Sequence, residues 1–295
     1  TQCDWMMQLG QLLWPLVRLM IALTLQSKVI GTDDTTVQVQ DETLNQKTRT
    51  GRLWVYRGDD EHPYVVYDYT PTRERAGPEA FLRDFKDGFL QADAYAGYNG
   101  IFEDEQRNVQ EVLCWAHARR KFYETRRSDP ELSHSAMAMI KLLYEVEKEI
   151  RDLPAAEKLA VRQAKSVPIL ADMKAWLEGI SEERALPQSP IRQAINYALN
   201  GWEALCRYTT DGDFAIDNNA VERLMRPVAI GRKNWMFFGS DRGGHTAAIM
   251  FSIVQSAKRH NLNVFVYLKD IIARISDHPA SQLHQLLPDQ WQPLE

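Results

Sequence analysis

Three carboxylates of this 295-residue chain stand where chemistry could use them. Asp33 lies in Gly31-Thr-Asp-Asp-Thr-Thr-Val37, beside a stretch that alternates apolar and amide residues. Asp93 ends an apolar run in Leu90-Gln-Ala-Asp-Ala-Tyr-Ala-Gly-Tyr98, and Glu222 belongs to the helical stretch Asp217-Asn-Asn-Ala-Val-Glu-Arg223. Two carboxylates at strand ends and a third on a later helix can converge at one end of a sheet. Such an all-oxygen set suits Mg²⁺, which takes one or two carboxylates and fills its octahedron with water and phosphate oxygens. Two ions about 3.5–4 Å apart would clamp the attacking and leaving oxygens of a phosphoryl displacement. Each acid also has a structural explanation. Asp33-Asp34 could open a turn, Asp93 could cap a helical turn, and Glu222 has capping-box spacing from Asn219 and i,i+4 spacing to Arg226. On spacing alone the structural explanations prevail.

Two basic windows are sharper. Cys114-Trp-Ala-His-Ala-Arg-Arg-Lys-Phe122 sets three consecutive cations beside Trp115, His117 and Phe122. Arg223, Arg226, Arg232, Lys233 and Arg242 cluster around Gly231-Arg-Lys-Asn-Trp-Met-Phe-Phe-Gly-Ser240. Cations interleaved with aromatic rings suit a phosphate backbone with unpaired bases nearby. The ordinary alternative is a solvated helix face with core aromatics behind it. His117, Arg119, Arg120, Arg223, Arg232, Lys233, Asn234 and Trp235 are the candidates for nucleic-acid contact. Cys114 and His117 have metal-ligand spacing but lack the two further ligands of a structural zinc site. His117 reads as an orienting or phosphate-contacting residue, or as a structural histidine.

These residues need a scaffold. Helical periodicity runs through residues 5–27 (Trp5, Leu9, Leu12, Leu13, Leu16, Met20), then changes to period two at Val37-Gln-Val-Gln40. Leu53–Tyr56 and Tyr64–Tyr69 are further strands, and the turn-rich Gly58–Pro63 makes them an antiparallel hairpin. Gly77-Pro78 opens a helix with Phe81, Phe85 and Phe89 on one face and Gly88 near its end. Short strands follow at 89–93 and 109–114. A meander followed by crossover units predicts an α/β fold, a mixed sheet covered by helices. From Ala116 to about Tyr208 the pattern is all helical. Met139, Leu143, Val146, Ile150 and Leu153 form a helix–helix seam, and Pro154, Pro168, Pro187 and Pro190 divide the stretch. A turn-rich segment, Asn234–Gly244, precedes a long helix at about 245–259. The expected divisions are an N-terminal helical segment (1–27), a first core part (28–115), a helical insertion (116–210), a second core part with the third acid (211–275) and a tail (276–295).

Composition excludes other classes. With 44% hydrophobic and 25% charged residues the chain is an ordinary globular protein, neither collagen-like nor disordered. Three scattered cysteines make no disulfide framework and point to a reducing cytosol. The apolar run Leu12–Leu25 is interrupted by Pro15 and Arg18 and reads as too short for a membrane span, and no secretory leader precedes it. The chain opens at Thr1 inside a helical pattern, so a longer N-terminal part is expected. No phosphate-binding glycine loop or nucleophile elbow is present, and the tryptophans alone do not make the cleft a glycosidase needs. The net charge of −5 conceals a strong asymmetry: 114–127 and 223–242 each carry +4, leaving −13 for the rest.

Five motifs now stand in order: Asp33-Asp-Thr-Thr-Val37, Asp93-Ala-Tyr-Ala-Gly-Tyr98, Cys114-Trp-Ala-His-Ala-Arg-Arg120, Asp217-Asn-Asn-Ala-Val-Glu-Arg223 and Gly231-Arg-Lys-Asn-Trp235. With them the chain closely resembles the catalytic part of bacterial insertion-sequence transposases of the sixty-sixth family, a DDE-type group, from about Trp5 to Trp291. The resemblance implies a ribonuclease-H-like mixed sheet flanked by helices, with an all-α insertion before the third acid. It implies two Mg²⁺ ions, with Mn²⁺ as substitute, on Asp33, Asp93 and Glu222, Asp33 bridging both. The implied activity is cleavage at the element's ends to free a 3′-OH, which attacks target DNA with no covalent protein intermediate. The implied partners are DNA, a second copy of the chain on that DNA and accessory proteins of the element. No membrane is implied, and the location is the cytoplasm, at the nucleoid when DNA-bound. Family members also carry an N-terminal helix-rich, zinc-binding region that nothing before Asp33 supplies, so a fragment or truncated copy is expected.

Two departures bear on activity. Asp33-Asp34-Thr35-Thr36 replaces the usual Asp-Glu-Thr-Pro; alignment with the family favours Asp33 as the first acid, and Asp33 shares strand parity with Val37 and Val39, with Asp34 the alternative. Ala94 replaces the usual Gly, which at a positive φ would cost roughly 1 kcal/mol. The rival expectations are a silent DNA-binding remnant and a non-transposing nuclease on the same sheet.

Overall fold

The computed structural model describes residues 1–41, 43, 47–183 and 185–293. Helix α1 (Gln2–Thr24) leads into strands β1 (Val29–Gln40), β2 (Thr48–Arg57) and β3 (Val65–Thr70). Helix α2 (Ala76–Phe81), β4 (Phe89–Ala92), α3 (Asn99–Phe102) and β5 (Gln110–Leu113) follow. Six helices come next: α4 (Trp115–Glu124), α5 (Pro130–Glu149), α6 (Ala155–Val161), α7 (Val167–Glu183), α8 (Pro190–Asn200) and α9 (Trp202–Cys206). The chain then forms α10 (Asn219–Trp235), the short β6 (Phe237–Phe238), α11 (Asp241–Arg259) and α12 (Val264–Arg274).

The strands order as β3-β2-β1-β4-β5, with β6 against β1. β1 and β2 are antiparallel, with Asp33 opposite Val55 and Asp34 opposite Trp54; β2 and β3 are antiparallel, with Val55 opposite Tyr67. β6 joins β1 in parallel. This mixed sheet flanked by helices is a ribonuclease-H-like α/β fold.

The chain forms two compact units, one of Thr1–Leu90, Tyr95–Val109 and Ala220–Glu295, the other of Gln91–Ala94 and Gln110–Asn219. In the first, the period-two pattern sorts the sheet into two faces. Val37, Val39, Leu53, Val55, Val65, Tyr67 and Tyr69 form one face, closed by Val221, Met225 and Val228 of α10 and Ala248 of α11. Val66 belongs to a second core with Leu13, Leu16, Val17 and Met20 of α1, Ile253 and Ala257 of α11, and Tyr267 and Ile271 of α12. β3 is an edge strand, and α11 satisfies its outer edge. Tyr67 N–H donates to Ser252 Oγ (2.8 Å) and Val65 N–H to Ser256 Oγ (2.9 Å), while Ser256 Oγ donates back to Val65 O (3.0 Å).

The second unit carries β5 and the end of β4 and is otherwise helical. Asp129 caps α5 through Leu132 N–H with Pro130 in the first turn, and Ser189 caps α8 with Pro190 likewise. Leu143, Val146 and Ile150 are buried, as their seam spacing requires. At its centre Arg162, 2% exposed, pairs with Glu147 through Nε (2.8 Å) and Nη2 (2.7 Å) and donates to the carbonyls of Tyr208 and Asp211. A buried guanidinium is tolerated because its donors are met.

Several sequence expectations are corrected. Asp33 lies within β1, which begins eight residues before Val37, not beside a strand. The helix opened by Gly77-Pro78 stops at Phe81: Asp87 adopts a left-handed φ of 52°, its N–H bonds Arg107 O, and the chain turns into β4. Phe85 keeps its core role from that turn, fully buried. Pro168 divides nothing, because a π turn at Arg162–Ser166 widens the helix just before it and accommodates the missing N–H. Within 234–244 lies β6, entered through Met236 at a φ of 60°, and α11 starts at Asp241 rather than near 245. Helix α1 is long and apolar enough by length and composition to cross a membrane, unlike the shorter run read from sequence, and its buried face packs in the second core. Ala94 has no positive φ, so the strain expected of it is absent. Residues 294–295 of the expected tail lie outside the described residues.

Candidate active site

Strand parity separates the two adjacent aspartates of β1. Asp34 points to the face of Trp54, away from α10, where Arg52 Nη1 donates to its Oδ2 (2.8 Å) and Arg73 Nη2 and Nε donate to its Oδ1 (2.9 and 3.1 Å). Its side chain is 4% exposed. Both oxygens are thus committed to guanidinium groups. Asp33 lies on the other face, that of Val37, Val39 and the α10 side chains, half-buried; its Oδ1 accepts Asp34 N–H (2.8 Å).

Glu222 occupies the first turn of α10, half-buried between the buried Val221 and Met225, on the helix that covers the Asp33 face. Arg232 fastens the far end of that helix to β1: its Nη1 donates to Thr35 Oγ1 (3.1 Å), Thr36 O (2.7 Å) and Thr36 Oγ1 (3.1 Å). Trp235 folds back one turn along α10, its ring stacked on Phe238 with centroids 4.6 Å apart. Gly231 permits this, since a Cβ there would stand 2.6 Å from Trp235 Nε1. Arg223, Lys233 and Asn234 are exposed on α10.

The motif after Asp93 is anchored in the first unit. Tyr98 Oη and Thr32 Oγ1, next to Asp33, are hydrogen-bonded at 3.2 Å. Tyr95 donates its hydroxyl to Arg73 O, and the Arg73 guanidinium lies 4.2 Å from the Tyr95 ring centre. Gly97 is demanded by that ring, which a Cβ would meet at 2.1 Å. So the glycine and both tyrosines of this motif hold the neighbourhood of Arg73 and Thr32.

Asp93 belongs to the helical unit, half-buried one residue beyond β4. In that unit burial and the Asp93 charge raise the Glu111 carboxyl, against the opposing pull of Arg207. Glu111 is an acid the sequence reading missed; only its place on β5 marks it. Asp217 accepts the Tyr144 hydroxyl at Oδ2 (2.9 Å) and the Asn219 side-chain amide (2.6 Å). Cys114 is buried, accepts Asn218 N–H at Sγ (3.2 Å), and burial pushes its thiol up to about 11. His117 is half-buried in the first turn of α4, and Arg119 and Arg120 are exposed one turn on, lining a cavity between α4 and α5. Among the described residues, neither Asp33 nor Asp93 belongs to a group of three Cys, His, Asp or Glu side chains whose ligand atoms all lie within 4.8 Å of one another. The donors themselves, carboxylate oxygens on half-buried residues, are of the kind Mg²⁺ accepts.

The family model described as Transposase IS66 family matches residues 1–246, and that described as IS66 C-terminal element matches residues 252–288. The chain belongs to the IS66 transposase family. Curated relatives of this IS66 chain occur in Sinorhizobium fredii. The uncharacterized protein y4hP is 36% identical over 303 residues, covering 95% of this chain and 53% of that protein. For y4jD the values are 33% over 260 residues, 83% and 50%; for y4qI, 32% over 305 residues, 98% and 56%. The IS66 chain therefore spans about half the length of the curated relatives it matches. The family is one of DDE-type transposases of mobile elements.

Proposed function

We propose that this chain carries the catalytic centre of an IS66 transposase that hydrolyses DNA at the element's ends and joins the freed 3′-OH to target DNA. Asp33, Asp93 and Glu222 would hold two Mg²⁺ ions. When bound, the ions supply Lewis-acid stabilisation of phosphodiester oxygens and lower the pKa of a coordinated water. The observation that carries the reading is the division of labour on β1. Asp34 is taken up by Arg52 and Arg73, whereas Asp33 shares its face with the helix bearing Glu222. Arg232 positions that helix on β1 one turn before Trp235, and the Tyr98–Thr32 bond supports placing the Asp93 motif in the same service.

Arg119, Arg120, Arg223, Lys233 and Asn234 would hold phosphates, and His117 would orient or contact one. Trp235 would offer its remaining ring face to a flanking base. Arg232 has a fastening role besides any phosphate contact. The helical run 116–210 would be an insertion ahead of the third acid, with 28–115 and 211–275 as the two parts of the core. Two copies on paired DNA ends, accessory proteins of the element, and a cytoplasmic, nucleoid-associated location belong to the same reading.

The test is cleavage of linear DNA bearing element ends, in Mg²⁺ and in Mn²⁺. Asp33→Asn is expected to lower the rate on the order of 10²–10³-fold, the several kcal/mol that metal chemistry supplies, with the fold intact. Asp34→Asn is expected to lower the melting temperature instead. Parental cleavage by Asp33→Asn would overturn the assignment. Cleavage without joining of the 3′-OH would make the chain a nuclease rather than a transposase.

A further inference from the structure

The second unit holds a feature that the acids do not explain. Helix α4 presents Ala116, Arg119, Arg120 and Tyr123 at i, i+3, i+4 and i+7, and α5 presents His134, Met137, Ala138, Lys141 and Tyr144 on a facing stripe. Trp115, Ala118 and Phe122 on α4 and Leu132, Ala136, Ile140 and Leu143 on α5 are buried, and the two helices lie in contact. The outward stripes therefore line an open cleft of about 1040 Å³. Ala116, Met137 and Ala138 line it with small or flexible side chains beside the basic ones.

Four cations, Arg119, Arg120, Arg126 and Lys141, line the cleft with one carboxylate, Glu124. Arg119 and Arg120 are exposed and make no ion pair with a carboxylate among the described residues; Lys141 makes one exposed i,i+4 pair with Glu145 (3.4 Å). Tyr123 is 44% exposed, and the Arg126 guanidinium lies 3.9 Å from its ring centre, held by a bond from Nη1 to Tyr123 O (3.0 Å). A flat cation already seated on a solvent-facing ring is a platform for a third planar group. Duplex DNA keeps its bases inside the helix and cannot use that ring. A single strand can, because its bases swing out while its phosphates track positive charge.

We propose that the α4–α5 cleft binds single-stranded DNA, its phosphates on Arg119, Arg120, Arg126 and Lys141 and one base stacked on the Tyr123–Arg126 platform. The proposal rests on the reading of the chain as a DNA-processing transposase and adds Tyr123, Arg126, His134 and Lys141 to its contact surface. His134, at the cleft wall, supplies a ring nitrogen for a base edge or phosphate oxygen.

The test is fluorescence anisotropy of the full chain with a labelled oligonucleotide, single-stranded and as the matched duplex, over a range of salt. Tyr123→Ala is expected to weaken single-strand binding about tenfold and to leave duplex binding unchanged, with Tyr123→Phe restoring it. Arg126→Ala and Lys141→Ala should each lower the salt slope for the single strand by about 0.7. Lys174→Ala on α7, which removes one exposed charge away from the cleft, should match the parent. Circular dichroism and thermal melting establish that each variant is folded. Parental single-strand affinity in folded Tyr123→Ala and Lys141→Ala overturns the proposal while leaving end cleavage untouched. Equal loss for both DNA forms in Tyr123→Ala also overturns it, since the cleft would then serve a duplex. If the parent chain binds neither form, the DNA-processing reading itself falls.

Discussion

Adjacent aspartates on β1 show how one residue's position decides its chemistry. Asp33 and Asp34 differ by a single step along the strand, and that step places them on opposite faces. Asp34 meets two guanidinium groups that neutralise it, whereas Asp33 faces the helix carrying Glu222. A third acid of the same sheet, Asp68, is opposite Trp54 on β2 and is desolvated without such neutralisation; burial pushes its carboxyl up to about 6. Its folded-state pKa is above that of the unfolded chain, so the native state binds the extra proton between about pH 4 and pH 6. Stability therefore falls as pH rises through that window, and the penalty persists above it. Asp68→Asn keeps an acceptor for Tyr69 N–H and removes the charge. It is expected to raise stability at pH 8 by about 2–3 kcal/mol and to flatten the pH dependence between 4 and 6. Urea unfolding at pH 4 and pH 8 reads this, and an unchanged difference between the two would refute it.

Elements place these residues by their periods. β1 must keep Val37 and Val39 on the covered face, so Asp33 follows them there and its register cannot slip by one without exposing the core. α10 meets that face through Val221, Met225 and Val228, which carries Glu222 with it, and Arg232 locks the far end to Thr35 and Thr36. β3 depends on α11 in a different way. Its outward backbone groups have no neighbouring strand, and the hydroxyls of Ser252 and Ser256 take that place. Ser256→Ala removes the side-chain partner of Val65 N–H in a fully buried setting. The expected cost is about 1–3 kcal/mol, read as a lower melting temperature with earlier hydrogen exchange at β3. Unchanged exchange protection of Val65 would show that another group serves its N–H.

At the scale of the whole chain, the sheet-bearing unit is assembled from three separated segments, and the helical unit is mostly one continuous stretch. Contacts within the former join residues far apart in sequence, so loop closure must precede their reward. α11 reaches β3 across nearly two hundred residues of chain, and it is what shields that edge. A chain stopped before Ser252 is thus expected to be aggregated on size-exclusion chromatography with light scattering, because β3 would offer open backbone donors and acceptors to other copies. A monodisperse monomer from that truncation would show that the edge is protected by other means. Charge is distributed on the same scale: the two basic windows fall on α4 with its following turn and on the stretch from α10 to the start of α11, against an acidic remainder.

The sequence alone determined what depends on neighbours along the chain. Period two marked the end of β1, two strand-like runs about a turn-rich segment marked β2 and β3, helical spacing marked α1 and the α5 seam, and five ordered motifs carried the resemblance to the family. It also read Asp33 as sharing a face with Val37 and Val39, since parity is a local rule. Only tertiary structure decided what depends on distant partners. The commitment of Asp34 needed Arg73 from beyond β3, and the anchoring of Arg232 needed Thr35 and Thr36 from nearly two hundred residues earlier. The two-residue β6 is defined by its pairing with Gln38 and Val39 of β1, and the basic cleft needed α5 to lie beside α4. The shortened α2 and the undivided helix at Pro168 were misread for the same reason: a left-handed Asp87 and a π turn are settled by contacts and backbone geometry that no local pattern announces.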